Sequence, residues 1–207
     1  MSSVLDTVLL VEVFVTLFVI MDPVGTIPIF LALTGGRSVA SMRRAAWQAV
    51  AVSFGVIVAF AFFGQQILAY LNISLPALQM AGGLLLLLIA LELLTGKEES
   101  FSAGANANVN VALVPLGTPM MAGPGAIVAT MVFSDRVDGL NTFAGVAMGV
   151  VLVHVALWLS MRFSVPILRV IRESGVLLVS RIAGLLLSAI AVQLMADAIR
   201  AFLAGEG

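Results

Sequence analysis

Met21-Asp22-Pro23-Val24-Gly25-Thr26-Ile27-Pro28 interrupts an apolar run from Val8 to Leu33 that is long enough to cross a bilayer. A carboxylate, two prolines and a glycine stand where side chains and backbone should be apolar and regular. An aspartate near a bilayer centre costs roughly 2.5–3.5 kcal/mol on insertion scales. A proline inside a helix removes a backbone bond, at about 3 kcal/mol. The residues nevertheless suit a helix start. Asp22 can cap a new helix, and Pro23 fits its first position, where no N–H is needed. The reading is therefore two half-helices meeting near the midplane, a geometry tolerated only where protein or a wet cavity satisfies the backbone. The structural alternative is a packing kink with Asp22 bonded to a neighbouring helix, but a kink by itself needs no acid.

The rest of the chain agrees with a membrane setting. Its 207 residues are 61% hydrophobic and 10% charged, with a mean hydropathy of +1.17, whereas soluble domains carry about 25% charge. A separate soluble domain is not expected. A net charge of −1 gives no reason to expect nucleic acid as a partner. With no cysteine, disulfides, thiolate metal sites and thiol nucleophiles are excluded. The N-terminus lacks the basic start of a secretory signal, so the first apolar segment reads as a mature span. No cofactor is expected.

Six spans are expected, at roughly Val8–Leu33, Ala45–Tyr70, Leu75–Leu94, Val111–Phe133, Leu140–Met161 and Val176–Leu203. Of the ten basic residues, Arg37, Arg43, Arg44, Lys97, Arg162, Arg169, Arg172 and Arg181 fall on one side of this arrangement. Only Arg136 and Arg200 fall on the other. The positive-inside rule then puts both termini on the non-cytoplasmic side of the cytoplasmic, or inner, membrane.

A polar linker, residues 96–110, separates a first three-helix unit, 1–95, from a second, 111–207. Three spans per unit is an odd number, so a repeat must be inverted. An offset of 101 aligns Gly83-Leu84-Leu85-Leu86 with Gly184-Leu185-Leu186-Leu187, and Ile89-Ala90 with Ile190-Ala191. The same offset sets Glu92 on Gln193, Ser53 opposite His154, and Pro23 on Pro124. Matching leucines mean little in such segments; matching proline breaks mean more. Inverted repeats with broken helices in corresponding positions point to a transporter site.

The second break lies within Pro115-Leu116-Gly117-Thr118-Pro119-Met120-Met121-Ala122-Gly123-Pro124-Gly125. Thr118-Pro119 and Gly123-Pro124-Gly125 are both possible helix starts. In an inverted pair, half-helices starting at Val24 and near Gly125 approach from opposite faces. Their positive ends converge, each carrying about half a charge. A carboxylate suits such an end, and an ionised Asp22 suits an ammonium group. The glycines leave room for small contacts only. A small amino acid fits both polarity and size.

Asp22 is the first proton-coupling candidate; a permanently ionised cap is the alternative. His154, the only histidine, is the second. A satisfied packing histidine is the more ordinary role, as polar contact between helices is for Ser53 and Gln193. Glu12 either lines an outer vestibule or faces headgroups, and Glu92 lies near the cytoplasmic end. Trp47 and Trp158 read as packing or interfacial residues.

The two breaks also carry a resemblance. Asp22-Pro23-Val24-Gly25-Thr26-Ile27-Pro28-Ile29-Phe30-Leu31, then Leu33-Thr34, resembles the first-helix motif of the MarC family. Pro115-Leu116-Gly117-Thr118-Pro119 and Ala122-Gly123-Pro124-Gly125-Ala126-Ile127 resemble its fourth-helix motif. Length, span number and the polar linker match as well. The resemblance implies an all-α membrane protein of six helices, with helices 1 and 4 broken. It implies kinship with SnatA-like small neutral amino acid transporters and LysE-type exporters. It places the substrate site at Asp22, Pro23, Val24, Gly25, Thr26, Thr118, Gly123, Pro124 and Gly125. The functional expectation is a secondary transporter of the glycine and alanine class, proton-coupled and working by alternating access, with a homo-oligomer possible. A passive channel, an exporter of other metabolites or drugs, and a membrane enzyme are the competing classes. Against an enzyme, no span shows a metal cluster or a nucleophile–base pair at helical spacing.

Overall fold

The computed structural model describes residues 6–34, 37–95 and 121–205. Among these residues every regular element is a helix. The Asp6 carboxylate starts α1 (Thr7–Met21) by accepting the Leu9 N–H at 3.0 Å. Asp22 ends it, and α2 (Thr26–Thr34) follows. Ser38 caps α3 (Val39–Leu71), which Asn72 closes in the left-handed conformation at φ 53°. Next come α4 (Leu75–Thr95), α5 (Pro124–Asp135) and α6 (Leu140–Arg162). The last helix is α7 (Ser164–Ala204), interrupted at Arg172, where φ is 61° and ψ 166°.

Four helices are long and apolar enough to span a bilayer: Val39–Leu71, Leu75–Thr95, Leu140–Arg162 and Ser174–Ala204. At 1.5 Å per residue the shortest, α4 with 21 residues, reaches about 31 Å. The 15 residues of α1 reach only about 22 Å, so α1 needs the turn and α2 to complete a crossing. These four spans and the short apolar α1 make a multi-pass membrane protein. The linker at 96–110 and the first part of the expected fourth span, including Thr118, lie outside the described residues. The kink at Arg172 was not anticipated: nothing in Arg-Val-Ile-Arg-Glu-Ser breaks a helix as proline or glycine does.

Helix contacts are close where side chains are small. A Cβ built on Gly149 would lie 2.8 Å from Val13 Cγ1, and one on Gly145 would lie 2.9 Å from the Asp6 carbonyl. These contacts seat α1 alongside α6 with both running the same way. The longest interface joins α4 and α7. There a Cβ on Gly83 would lie 2.8 Å from the Ala191 carbonyl, and one on Gly184 would lie 3.2 Å from the Ala90 carbonyl. Rising numbers on α4 meet falling numbers on α7, so the two are antiparallel. The contacts are also reciprocal: Gly83 and Gly184, like Ala90 and Ala191, stand 101 positions apart. Leu86, Ala90, Leu187 and Ala191 form one buried cluster with Val19 of α1. The larger core joins α1, α3, α5 and α6, including Leu17, Met21, Met121, Ala122, Val153 and Leu157.

Candidate functional site

The first break is a break and not a bend. Asp22 turns left-handed, with φ 38° and ψ 73°, and its N–H donates to the Phe18 carbonyl to close α1. A non-glycine residue there costs about 1–2 kcal/mol, and aspartate is among the few that tolerate it. The same residue opens the next helix. Its carbonyl accepts the Thr26 N–H at 3.0 Å and the Thr26 hydroxyl at 2.8 Å. Its Oδ1 accepts the Gly25 N–H at 2.9 Å. Asp22 is thus the last residue of one helix and the cap of the next, with Pro23 at the start of the connecting turn. Regular helix begins at Thr26, two residues beyond the expected Val24. Pro23, Gly25 and Thr26 are buried, and Asp22 and Val24 are partly so.

Gly25 has no room for a side chain. A Cβ there would overlap the Asp22 carboxylate and come within 3.1 Å of the Ser180 hydroxyl of α7. Ser180 is 4% exposed. The sequence reading missed it, because one serine in an apolar span has no local signal.

The second break shows Gly123 at the cap of α5, with φ −65° and ψ 164°, and Pro124 in the first turn. Gly123 and Gly125 are buried while Pro124 is exposed. Gly123 makes no side-chain cap bond of its own. A Cβ on Gly125 would overlap Leu86, near the middle of α4, and one on Gly82 would meet Val128 at 2.6 Å. The start of α5 therefore lies at mid-span. Met21, Met121, Ala122 and Ala126, which flank the two breaks, belong to one core.

The two helix starts differ electrostatically. At α2 the Gly25 N–H is already taken by a carboxylate of the chain. At α5 a glycine stands in the cap position, so the cap residue itself brings no anion to the electropositive end.

His154 sits apart from the breaks, buried between α6 and α3. Its Nδ1 lies 2.8 Å from the Val150 carbonyl. A carbonyl only accepts, so Nδ1 donates and, in the neutral ring, Nε2 is the acceptor. Nε2 faces the Ser53 hydroxyl at 3.3 Å, and the Phe54 ring meets the imidazole edge-on with centroids 5.1 Å apart. Ser53 therefore does link two helices. The Gln193 amide donates to Asp197 one turn along α7 at 2.9 Å. Glu12 is paired with Arg136 at 2.8 Å, tying α1 to the end of α5. Trp158 packs against the core and Trp47 is largely exposed.

A family model described as MarC family integral membrane protein matches residues 7–203. A UPF0056 membrane protein of Methanocaldococcus jannaschii is 34% identical over 193 residues, covering 90% of this chain and 94% of its own. UPF0056 membrane protein YvbG of Bacillus subtilis is 32% identical, covering 88% and 90%. UPF0056 membrane protein YhcE of Escherichia coli is 30% identical, covering 93% and 92%. No solved structure matches the chain.

Proposed function

This chain belongs to the MarC family of integral membrane proteins, and from that premise we propose that it is a secondary transporter of small neutral amino acids. Transport is coupled to protons and proceeds by alternating access in the cytoplasmic membrane. The observation that supports the reading is the pair of helix starts, one capped by the Asp22 carboxylate and the other by Gly123, which brings no anion of its own. A zwitterion matches that difference. Its carboxylate goes to the N–H groups at Gly123–Gly125, beside Pro124. Its ammonium goes towards Asp22, with Val24 and Thr26 flanking. Thr118, which lies outside the described residues, joins the proposed site on the family resemblance alone. The buried glycines restrict the side chain to that of glycine, alanine or a residue of similar size.

Alternating access needs two halves that can rock, and the moving halves are an inverted pair of three-helix units, 1–95 and 111–207. The reciprocal packing of Gly83 on Ala191 and Gly184 on Ala90 supports this. An axis relating positions 101 apart predicts such paired contacts, as a two-fold axis does between identical subunits. The Ser53–His154 bond, also between positions 101 apart, is a further contact of the kind such an axis predicts. Asp22 is the proton carrier, because it is the acid at the substrate end. His154 is the second candidate, and its bonds to Ser53 and Val150 favour a structural role.

Uptake of labelled glycine and alanine into proteoliposomes, with and without a pH gradient, tests the reading. Accumulation above the equilibrium level only under a gradient is the expected result. Flux that merely equilibrates makes the protein a channel, and no flux of any small amino acid removes the substrate assignment.

A further inference from the structure

We propose that residues 164–171, the short first part of α7, with Phe163 and Arg172 at its ends, form a docking surface for anionic phospholipid. The segment lies along the membrane interface, with its arginines on lipid phosphates and its exposed apolar side chains in the acyl boundary. This surface is separate from the two helix breaks.

Its place in the membrane follows from the contacts around it. Arg172, at φ 61° and ψ 166°, divides α7 in two. The apolar span begins beyond it, at Ser174, and α6 ends just before the segment, at Arg162. Ser53 meets His154 and Phe62 meets Phe143, so the start of α3 stands level with the end of α6. That start carries Arg43, Arg44 and Trp47, whose indole is 63% exposed. Gly184 packs on Leu93 and Leu94 at the end of α4, so Arg181, one turn earlier, stands where its own span ends. Residues 164–171 therefore lie at the ends of the spans, in the zone that exposed tryptophan marks in membrane proteins.

The exposed side of the segment is apolar and cationic together. Ser164 is buried and Ile167 and Leu168 are half-buried, positions that share one helical face and rest on the protein. The other face shows Val165, Arg169 and Val170, the last 82% exposed. Arg162 lies over the Phe163 ring at 5.2 Å, so a cation and an apolar ring are offered side by side at the segment's start. From Arg162 to Arg181 the chain carries four arginines against one acid, Glu173. Basic and apolar residues on one exposed helical surface are the composition of helices that lie in the headgroup region, and the planar guanidinium matches phosphate. The backbone at Arg172 is costly for a residue with a Cβ and persists only where its surroundings over-determine it. Anchorage of the segment along the surface, with the span turning inward after it, is such a surrounding.

The test uses the full chain, and neither readout depends on transport. In native mass spectrometry with equimolar phosphatidylglycerol and phosphatidylcholine, wild-type protein retains phosphatidylglycerol in preference by about fivefold, the amount one arginine at an anionic surface supplies. Arg169→Gln combined with Arg172→Gln removes the preference. Because the chain has no cysteine, Val170→Cys provides a unique thiol for a bimane fluorophore. In mixed vesicles of the two lipids, a nitroxide near the headgroup end of the acyl chain quenches that bimane about twofold or more while aqueous iodide does not, as for a helix at the acyl boundary. Equal retention of the two lipids by wild type overturns the proposal, and so does a preference that survives the double substitution. A bimane open to iodide and untouched by the lipid nitroxide also overturns it, and leaves the face to a soluble partner. If the double variant does not fold, the bimane at position 170 decides.

Discussion

Asp22 performs three tasks with one side chain and one peptide group. It ends α1 in a left-handed conformation, caps the turn through Gly25, and presents a carboxylate beside a buried glycine. Asparagine keeps the size, tolerates the left-handed region and retains an oxygen to accept the Gly25 N–H. Asp22→Asn should therefore fold, with a melting temperature within a few degrees of wild type. It should lose gradient-driven accumulation by at least tenfold, because it can neither ionise nor carry a proton. The measurement is uptake across a series of external pH values. A variant whose uptake keeps the wild-type pH profile excludes Asp22 as the proton carrier. Gly25 supplies the complementary constraint, since any larger residue displaces the carboxylate it lies beneath.

At the scale of helices, stability depends on where glycine permits close approach. Gly83 and Gly184 each face a backbone carbonyl across the α4–α7 interface, and a methyl group at either forces the helices apart. Overpacking of this kind costs about 1–3 kcal/mol. Gly83→Ala and Gly184→Ala should each lower the midpoint of thermal unfolding in detergent, Gly83→Ala the more because its contact is tighter. Gly55 on α3 meets nothing within 4 Å, so Gly55→Ala should raise the midpoint, alanine being favoured over glycine in a helix by about 1 kcal/mol. Equal effects at all three positions would separate the midpoint from interface packing. These contacts also show what was legible beforehand. Helix boundaries at Leu75 and Leu140 coincide with the expected ones because apolar runs and flanking polar residues mark them. The break at Asp22-Pro23 was legible because proline and an acid are expensive in a span. The approach of Ser180 to Gly25 was not, because the two are far apart in sequence and adjacent only after folding. The same holds for Glu12 and Arg136, whose pairing depends on α1 and α5 ending at one level.

Across the whole molecule the basic residues are the feature that fixes direction. Arg37, Arg43 and Arg44 follow α2, and Arg162, Arg169, Arg172 and Arg181 surround the kinked start of α7, whereas Arg136 and Arg200 stand at the opposite ends of their helices. The described chain agrees with this division. Glu12 near the start of α1 pairs with Arg136, so the end of α5 lies on the side where α1 begins. The Asp6 N–H donates to the Asn141 carbonyl, so α6 begins there too. That face collects Asp6, Glu12, Asp135, Asp138 and Asp197 against Arg136 and Arg200, while the opposite face collects most of the cations. The positive-inside rule predicts that the cationic face stays in the cytoplasm, with both termini outside. Single cysteines in the otherwise cysteine-free chain test this directly. Ser41→Cys, on the stretch rich in arginine, should react with a membrane-impermeant maleimide only in inverted vesicles. Asn141→Cys should react only in intact cells or right-side-out vesicles. The reverse pattern would invert the assigned topology while leaving the helix packing unchanged. Ser41 and Asn141 mark the starts of α3 and α6, so labelling of both cysteines from the same side would be incompatible with the antiparallel packing in which Ser53 meets His154 and Phe62 meets Phe143.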